Sequence, residues 1–92
     1  MYDDKILLDK TIKIAKKGIK KGKGPFGALV AKDGKIISRA NNKVVLSHDP
    51  TAHAEVLAIR KASALLKSHD LSDCVLYTSC EPCPMCLGAI YW

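Results

Sequence analysis

Apolar and polar positions alternate with three different rhythms along this chain. Between residues 4 and 21, Leu8, Ile12, Ala15 and Ile19 recur at i, i+4, i+7 and i+11, and lysines fill the other side. That period predicts an amphipathic helix with those four residues facing the core. Asp3 or Asp4 can cap its start, and Gly22 and Gly24 end it. The run from Pro25 to Ala31 then reads as a strand, Asp33-Gly34 as a tight turn, and Lys35 to Ala40 as its antiparallel partner, since Asp-Gly tolerates the positive φ such turns need. Gly27 beside Phe26 is either a glycine tolerated at a strand start or a point where the backbone comes close to something, a ligand included.

Asn41-Asn42 closes the second strand, and Lys43 to Asp49 reads as a loop. Asp49 as N-cap and Pro50 at the first helical position predict a helix to Leu66 or Lys67, with Val56, Ile59 and Ala62 or Ser63 on its inner stripe. Cys74 to Thr78 is a third strand, joined to the second by that helix and therefore by a crossover if the two run parallel. Ser79 to Pro82 turn the chain, and Cys83 begins a last helix through Met85, Leu87, Ala89 and Ile90. Three strands interleaved with three helices make an α/β chain, with helix starts near strand carboxyl ends, where open α/β sheets place ligands.

Ninety-two residues make one small domain, and an apolar content of 48% argues against disorder. No apolar run approaches the roughly twenty residues of a membrane helix. The start, Met1-Tyr2-Asp3-Asp4, is acidic and unlike a signal peptide. Three of the four cysteines fall within positions 80–86, which suits metal binding better than a disulfide framework and points to a reducing cytoplasm. The net charge of +6 is carried by 13 Lys against 2 Arg, with seven lysines between Lys10 and Lys23. A solvated helix face explains them better than a nucleic-acid stripe, which leans on Arg and interleaved aromatics.

The chemistry concentrates in His53-Ala54-Glu55 and Pro82-Cys83-Pro84-Met85-Cys86. These supply one imidazole, one carboxylate and two thiols. Zinc takes N and S ligands tetrahedrally, and a catalytic zinc keeps three protein ligands and one open position. His53, Cys83 and Cys86 make such a set. Residues two apart on a helix lie about 200° apart in projection. His53 and Glu55 therefore cannot both ligate one ion from an ideal helix, which suits Glu55 to proton transfer. Other readings of the cysteines are a redox pair, an iron–sulfur cluster from Cys80, Cys83 and Cys86, and a closed structural zinc site with Cys80 as fourth ligand. The cluster would require Cys74, which sits in an apolar run and reads as a buried apolar residue. The closed site would leave Glu55 without a purpose. Cys80 reads best as a neighbour of the ligands. Asn42 could bind the amide-like edge of a substrate, although turn chemistry is the commoner use of such a residue.

The pattern H-x-E … P-C-x-x-C is the known signature of zinc-dependent nucleobase deaminases. With Pro25-Phe26-Gly27-Ala28, Asn41-Asn42, the segment Asp49 to Glu55 and the segment Tyr77 to Trp92, the chain closely resembles the cytidine/deoxycytidylate deaminase superfamily. Within it, Phe26, Ser79-Cys80 and Tyr91-Trp92 look most similar to the small bacterial guanine deaminases. The resemblance implies a three-layer α/β/α fold with a mixed sheet, of which this chain holds the first three strands and three helices. It implies one zinc ion on His53, Cys83 and Cys86, with Glu55 as the catalytic proton shuttle. It implies a purine substrate contacted by Phe26, Asn42 and the Ala54 backbone N–H, and a homodimer or higher oligomer. The reaction implied is hydrolysis of guanine to xanthine and ammonia; a tRNA adenosine deaminase, a cytosine deaminase and an inactive zinc-stabilised fragment are the competing readings. The family's last two strands and substrate-recognising acidic residues would lie beyond Trp92. The third strand is then expected at an open sheet edge, and the 92 residues to bind zinc but turn guanine over weakly or not at all.

Overall fold

The computed structural model describes residues 2–20, 26–80 and 82–91. Its elements in chain order are α1 (Asp4–Lys20), β1 (Gly27–Lys32), β2 (Lys35–Asn41), α2 (Val44–Ser47), α3 (Ala54–Leu66), β3 (Val75–Thr78) and α4 (Pro84–Tyr91). The glycines expected to end the first helix, the strand start at Pro25, and Glu81 and Trp92 of the last motif lie outside the described residues.

Asp3 accepts a hydrogen bond from the Ile6 N–H at 2.9 Å and so caps α1. The β1–β2 hairpin turns through Asp33 and Gly34, both with positive φ (52° and 75°), as the Asp-Gly pair predicts. Strand order is β2-β1-β3, and β1 runs antiparallel to both neighbours. The mixed sheet implied by the resemblance is thus antiparallel at each pairing among the described strands. β2 and β3 run parallel to each other, but β1 separates them. β3 has β1 as its sole described neighbour and stands at an edge, as expected.

β1 is central because it is apolar on both faces. Ala28 and Val30 join Ala54, Ala58 and Ala62 in one core cluster. Leu29 and Ala31 join Leu7 in another. Alternate side chains of a strand point to opposite faces, so α3 covers one face, α1 the other, and the three layers follow.

Each helix buries one residue of its expected stripe, Ala15 in α1 and Ala62 in α3, but is turned so that the larger members of the stripe are not the buried ones. α1 buries Leu7, Thr11, Ala15 and Gly18, while Leu8, Ile12 and Ile19 are 45%, 40% and 55% exposed. α3 buries Ala54, Glu55, Ala58 and Ala62, and Val56 and Ile59 are half-buried. For α1 the cause is closeness of approach. A Cβ placed on Gly27 would lie 2.7 Å from the Ala15 backbone N and 3.0 Å from the Thr11 carbonyl oxygen. Only small side chains fit where helix backbone meets strand backbone. Thr11 is tolerated there because its hydroxyl donates to the Leu7 carbonyl at 2.8 Å. The close approach at Gly27 is therefore to α1.

Residues 43–49 are not a plain loop. Lys43 accepts the Ser47 N–H at 2.9 Å, making the single turn α2, which His48 ends at φ 52°. That adds a fourth helix to the expected three. Asp49 uses its capping chemistry here too: its carboxylate accepts the Thr51 N–H at 2.9 Å and the Thr51 hydroxyl at 2.7 Å. α3 accordingly starts at Ala54, five residues after Asp49. No described helix is long and apolar enough to cross a membrane.

Candidate metal centre

Two helix starts meet at the site. His53 is the N-cap of α3, with extended backbone (φ −70°, ψ 151°), and its carbonyl accepts the Leu57 N–H at 3.0 Å. Cys83 stands in the equivalent place before α4, its carbonyl accepting the Leu87 N–H at 2.9 Å, with Pro84 at the first helical position. His53 spends no side-chain bond on capping, so its ring is left to the thiols. His53 Nδ1 is 3.5 Å from the Sγ of both Cys83 and Cys86, and the two sulfurs are 3.6 Å apart.

These separations test the donor set for zinc. Zn–S near 2.3 Å and Zn–N near 2.05 Å at tetrahedral angles put two sulfurs about 3.8 Å apart and N and S about 3.6 Å apart. The cluster matches both, and among the described residues it is the one group of three that could hold a metal. The residues fit zinc.

Electrostatics at the two thiols differ. Cys83 is held below the ordinary thiol range, first by the backbone N–H of Cys86 and further by that residue's thiol and the Met85 N–H. These are the unpaired donors of the first turn of α4. Cys86 is fully buried, and burial pushes its thiol up to about 12, helped by its bonding to Cys83 and by the charge of Glu55. A cation bound here would oppose that shift by favouring the thiolate.

Glu55 is 7% exposed and follows Ala54, which is wholly buried. Its carboxylate acts on Cys80, Cys83 and Cys86, yet it lies outside the set of mutually close ligand atoms. Cys80 is exposed and also outside that set. A fourth protein ligand from Cys80 is therefore not assembled here. Cys74 is half-buried against the α3-side core, its thiol donating to the Asp73 carboxylate at 3.6 Å; it is not the fully buried residue expected.

Phe26 and Asn42 come together at the same end of the sheet. The Asn42 N–H donates to the Phe26 carbonyl at 3.4 Å, and the next residue, Lys43, donates to the Ala52 carbonyl at 2.8 Å, tying this corner to the residue before His53. Phe26 is 40% exposed. Asn42 Oδ1 accepts the Val44 N–H at 2.9 Å, so the turn chemistry is real. Ser79, which the sequence reading placed in a turn and in the resemblance but gave no part in the site, bonds Gly27 through both hydroxyl and backbone. Its place one step past the strand and four before Cys83 was the available signal.

A separate hollow of about 290 Å³ between α3, β3 and α4 is lined by Val30, Leu71, Cys74, Leu76 and Ile90 among others. None of the three metal-site residues lines it.

A three-layer core that delivers one histidine and two cysteines from two helix starts, with a buried glutamate beside them, is the arrangement of a zinc-dependent deaminase domain. The family model for the cytidine and deoxycytidylate deaminase zinc-binding region matches residues 1–92, and the chain belongs to that family. It is 59% identical over 86 residues to guanine deaminase of Bacillus subtilis (strain 168), covering 92% of this chain and 55% of that protein. It is 49% identical over 76 residues to the tRNA-specific adenosine deaminase of Aquifex aeolicus (strain VF5), covering 83% of this chain and 50% of that protein. The X-ray structure of B. subtilis guanine deaminase superposes with a TM-score of 0.95 at 56% identity, over 98% of this chain and 58% of that one. A structure of guanine deaminase from Nitrosomonas europaea gives 0.94 at 35% identity, over 100% and 54%. The chain thus spans a little over half the length of these guanine deaminases.

Proposed function

We propose that this chain carries the catalytic centre of a zinc-dependent deaminase of purine bases, with guanine as substrate and xanthine and ammonia as products. The observation that carries the reading is the open three-donor cluster of His53, Cys83 and Cys86 with buried Glu55 beside it. The 59% identity to a guanine deaminase supports guanine over the adenosine of tRNA, where the Aquifex relative stands at 49%. Zinc bound by such a set supplies Lewis acidity and makes water a nucleophile at neutral pH.

Glu55 takes one proton from the attacking water and gives it to the ring nitrogen beside the amino-bearing carbon; it then takes the second proton from that same oxygen, as the carbonyl forms, and gives it to the amine, which departs as ammonia. Its burial shields those transfers from bulk water. Phe26 offers a half-exposed ring for the purine face. Asn42 has a second lone pair on Oδ1 and two N–H donors on Nδ2 for the polar edge, beyond the one bond it accepts from the Val44 N–H. The Ala54 backbone N–H approaches the reacting side. This reading places the protein in purine metabolism. The four free thiols support a reducing, cytoplasmic setting. The reading extends to a homodimer or higher oligomer, as the family resemblance implies.

The test is ammonia release by the zinc-loaded chain from guanine and, separately, from an anticodon stem-loop. Release from guanine is expected. Glu55→Ala is expected to keep the zinc and lose roughly 100- to 10,000-fold in rate. Release from the stem-loop alone would overturn guanine in favour of tRNA adenosine, and release from neither would overturn the enzymatic reading.

A further inference from the structure

We propose that Ser79 is a positioning residue that holds Phe26, and Asn42 through it, in place at the sheet corner tied to Ala52, the residue before His53; the inference rests on the substrate roles proposed above. The β1–β3 ladder ends at the pair Ala28 and Thr78. One step further, Gly27 faces Ser79, and alternation along an antiparallel ladder makes this a pair that exchanges two backbone hydrogen bonds. One of the two is present: the Ser79 N–H donates to the Gly27 carbonyl at 3.0 Å. The other is replaced. The Gly27 N–H donates at 3.0 Å to the Ser79 hydroxyl oxygen instead of the Ser79 carbonyl.

That exchange of acceptor resolves a conflict between two demands on the same residue. The chain must leave the sheet after Thr78 to carry Cys83 to His53, and the Thr78 hydroxyl donating to the Cys80 carbonyl at 2.6 Å shows it already turning. Gly27 must nevertheless stay in register, because Phe26 precedes it. The Ser79 hydroxyl completes the pair while its carbonyl turns away with the loop. On the other side Gly27 rests against the α1 backbone, with no room for even a Cβ. Gly27 is held from both sides, and its neighbour Phe26 passes the constraint on by accepting the Asn42 N–H. One hydroxyl thus couples the loop that brings the thiolates to the residues proposed to grip the purine.

The experiment compares the zinc-loaded chain with Ser79→Ala and Ser79→Thr. Its readouts are zinc per chain, KM and kcat for guanine, and affinity for the purine analogue 8-azaguanine. Ser79→Ala is expected to keep its zinc and its kcat and to weaken KM and analogue affinity about fivefold, the size of one lost hydrogen bond. Ser79→Thr, which keeps an oxygen at the same place, restores both. Unchanged affinity in Ser79→Ala overturns the inference, and so does loss of zinc together with affinity, which marks a merely structural role. If the unsubstituted zinc-loaded chain binds no purine, the substrate reading falls and this inference with it. If that chain binds and Ser79→Ala binds equally well, the inference falls alone.

Discussion

His53 and Cys83 occupy the same position at the head of two different helices, and their ligand atoms stand 3.5 Å apart. Each residue has extended or turning backbone behind it and a helix ahead, so its side chain projects from the one place in a helix where the backbone is not yet packed around it. Cys86 adds the third donor from within the first turn of α4. The site is thus built from helix starts, and its precision depends on how the two helices are set against the sheet.

The cysteines are expected to separate by role when substituted singly. Cys86→Ala removes one of three donors and should leave no zinc bound after dialysis. Cys80→Ala should retain one zinc per chain, because its thiol is exposed and lies apart from the donor set. Zinc content by atomic absorption decides it: loss of metal from Cys80→Ala would mean a closed site with four protein ligands.

Gly27→Ala is expected to destabilise the fold by about 1–3 kcal/mol, the usual cost of overpacking a tight contact. The added methyl would meet the Ala15 nitrogen and the Thr11 carbonyl oxygen, both backbone atoms that cannot swing aside. A urea unfolding midpoint equal to that of the parent chain would show that α1 can retreat at no cost.

The orientation of α1 can be read by paired truncations. Leu7→Ala should cost about 2–5 kcal/mol, as for a buried leucine. Leu8→Ala should change stability by less than about 1 kcal/mol, in line with a substitution outside the core. The sequence period favours the opposite order, so the two denaturation midpoints discriminate sharply.

Tyr77 gives a pH signature. Its hydroxyl donates to the Asp4 carboxylate, and that bond, with burial and the charges of Asp4 and Asp3 behind it, pushes the phenol up to about 12. A group raised in the folded state favours folding below its unfolded value, here about 10, and the contribution is lost as pH climbs from there toward 12. Tyr77→Phe should therefore be less stable than the parent at neutral pH, and the gap should narrow above pH 10. A gap that stays constant across that range would exclude the Asp4 bond as its source.

The sequence exposed some of this architecture and hid the rest for a physical reason. The Asp33-Gly34 turn, the Asp3 cap and the donor set of His53, Cys83 and Cys86 were legible because each depends on residue type at a fixed local spacing. The inner faces of α1 and α3 were legible only at Ala15 and Ala62. Hydrophobic periodicity assumes that the largest apolar side chains go inward, yet here Gly18 and Ala58 do as well, and at α1 the reason is that helix and strand meet backbone to backbone at Gly27. The start of α3 was misplaced for a related reason: Asp49 and Pro50 suit a turn as well as a cap, and what decides between them is the Lys43–Ala52 bond, which no local pattern announces. The Asn42 turn bond was legible as one of two uses, and the structure contains it.

The position of β1 also has a kinetic consequence. Its pairing with β2 closes through Asp33-Gly34 alone, whereas its pairing with β3 joins Ala28 to Thr78 across β2, α2, α3 and the loops between them. Closing the longer loop costs more chain entropy before any contact repays it. The hairpin is therefore expected early in folding and β3 late. Cys83 and Cys86 follow β3, so the thiols reach His53 only at that late step. During refolding, amide protection in the hairpin should precede protection of Cys86 from alkylation, and the site would be the last part of the molecule to exist.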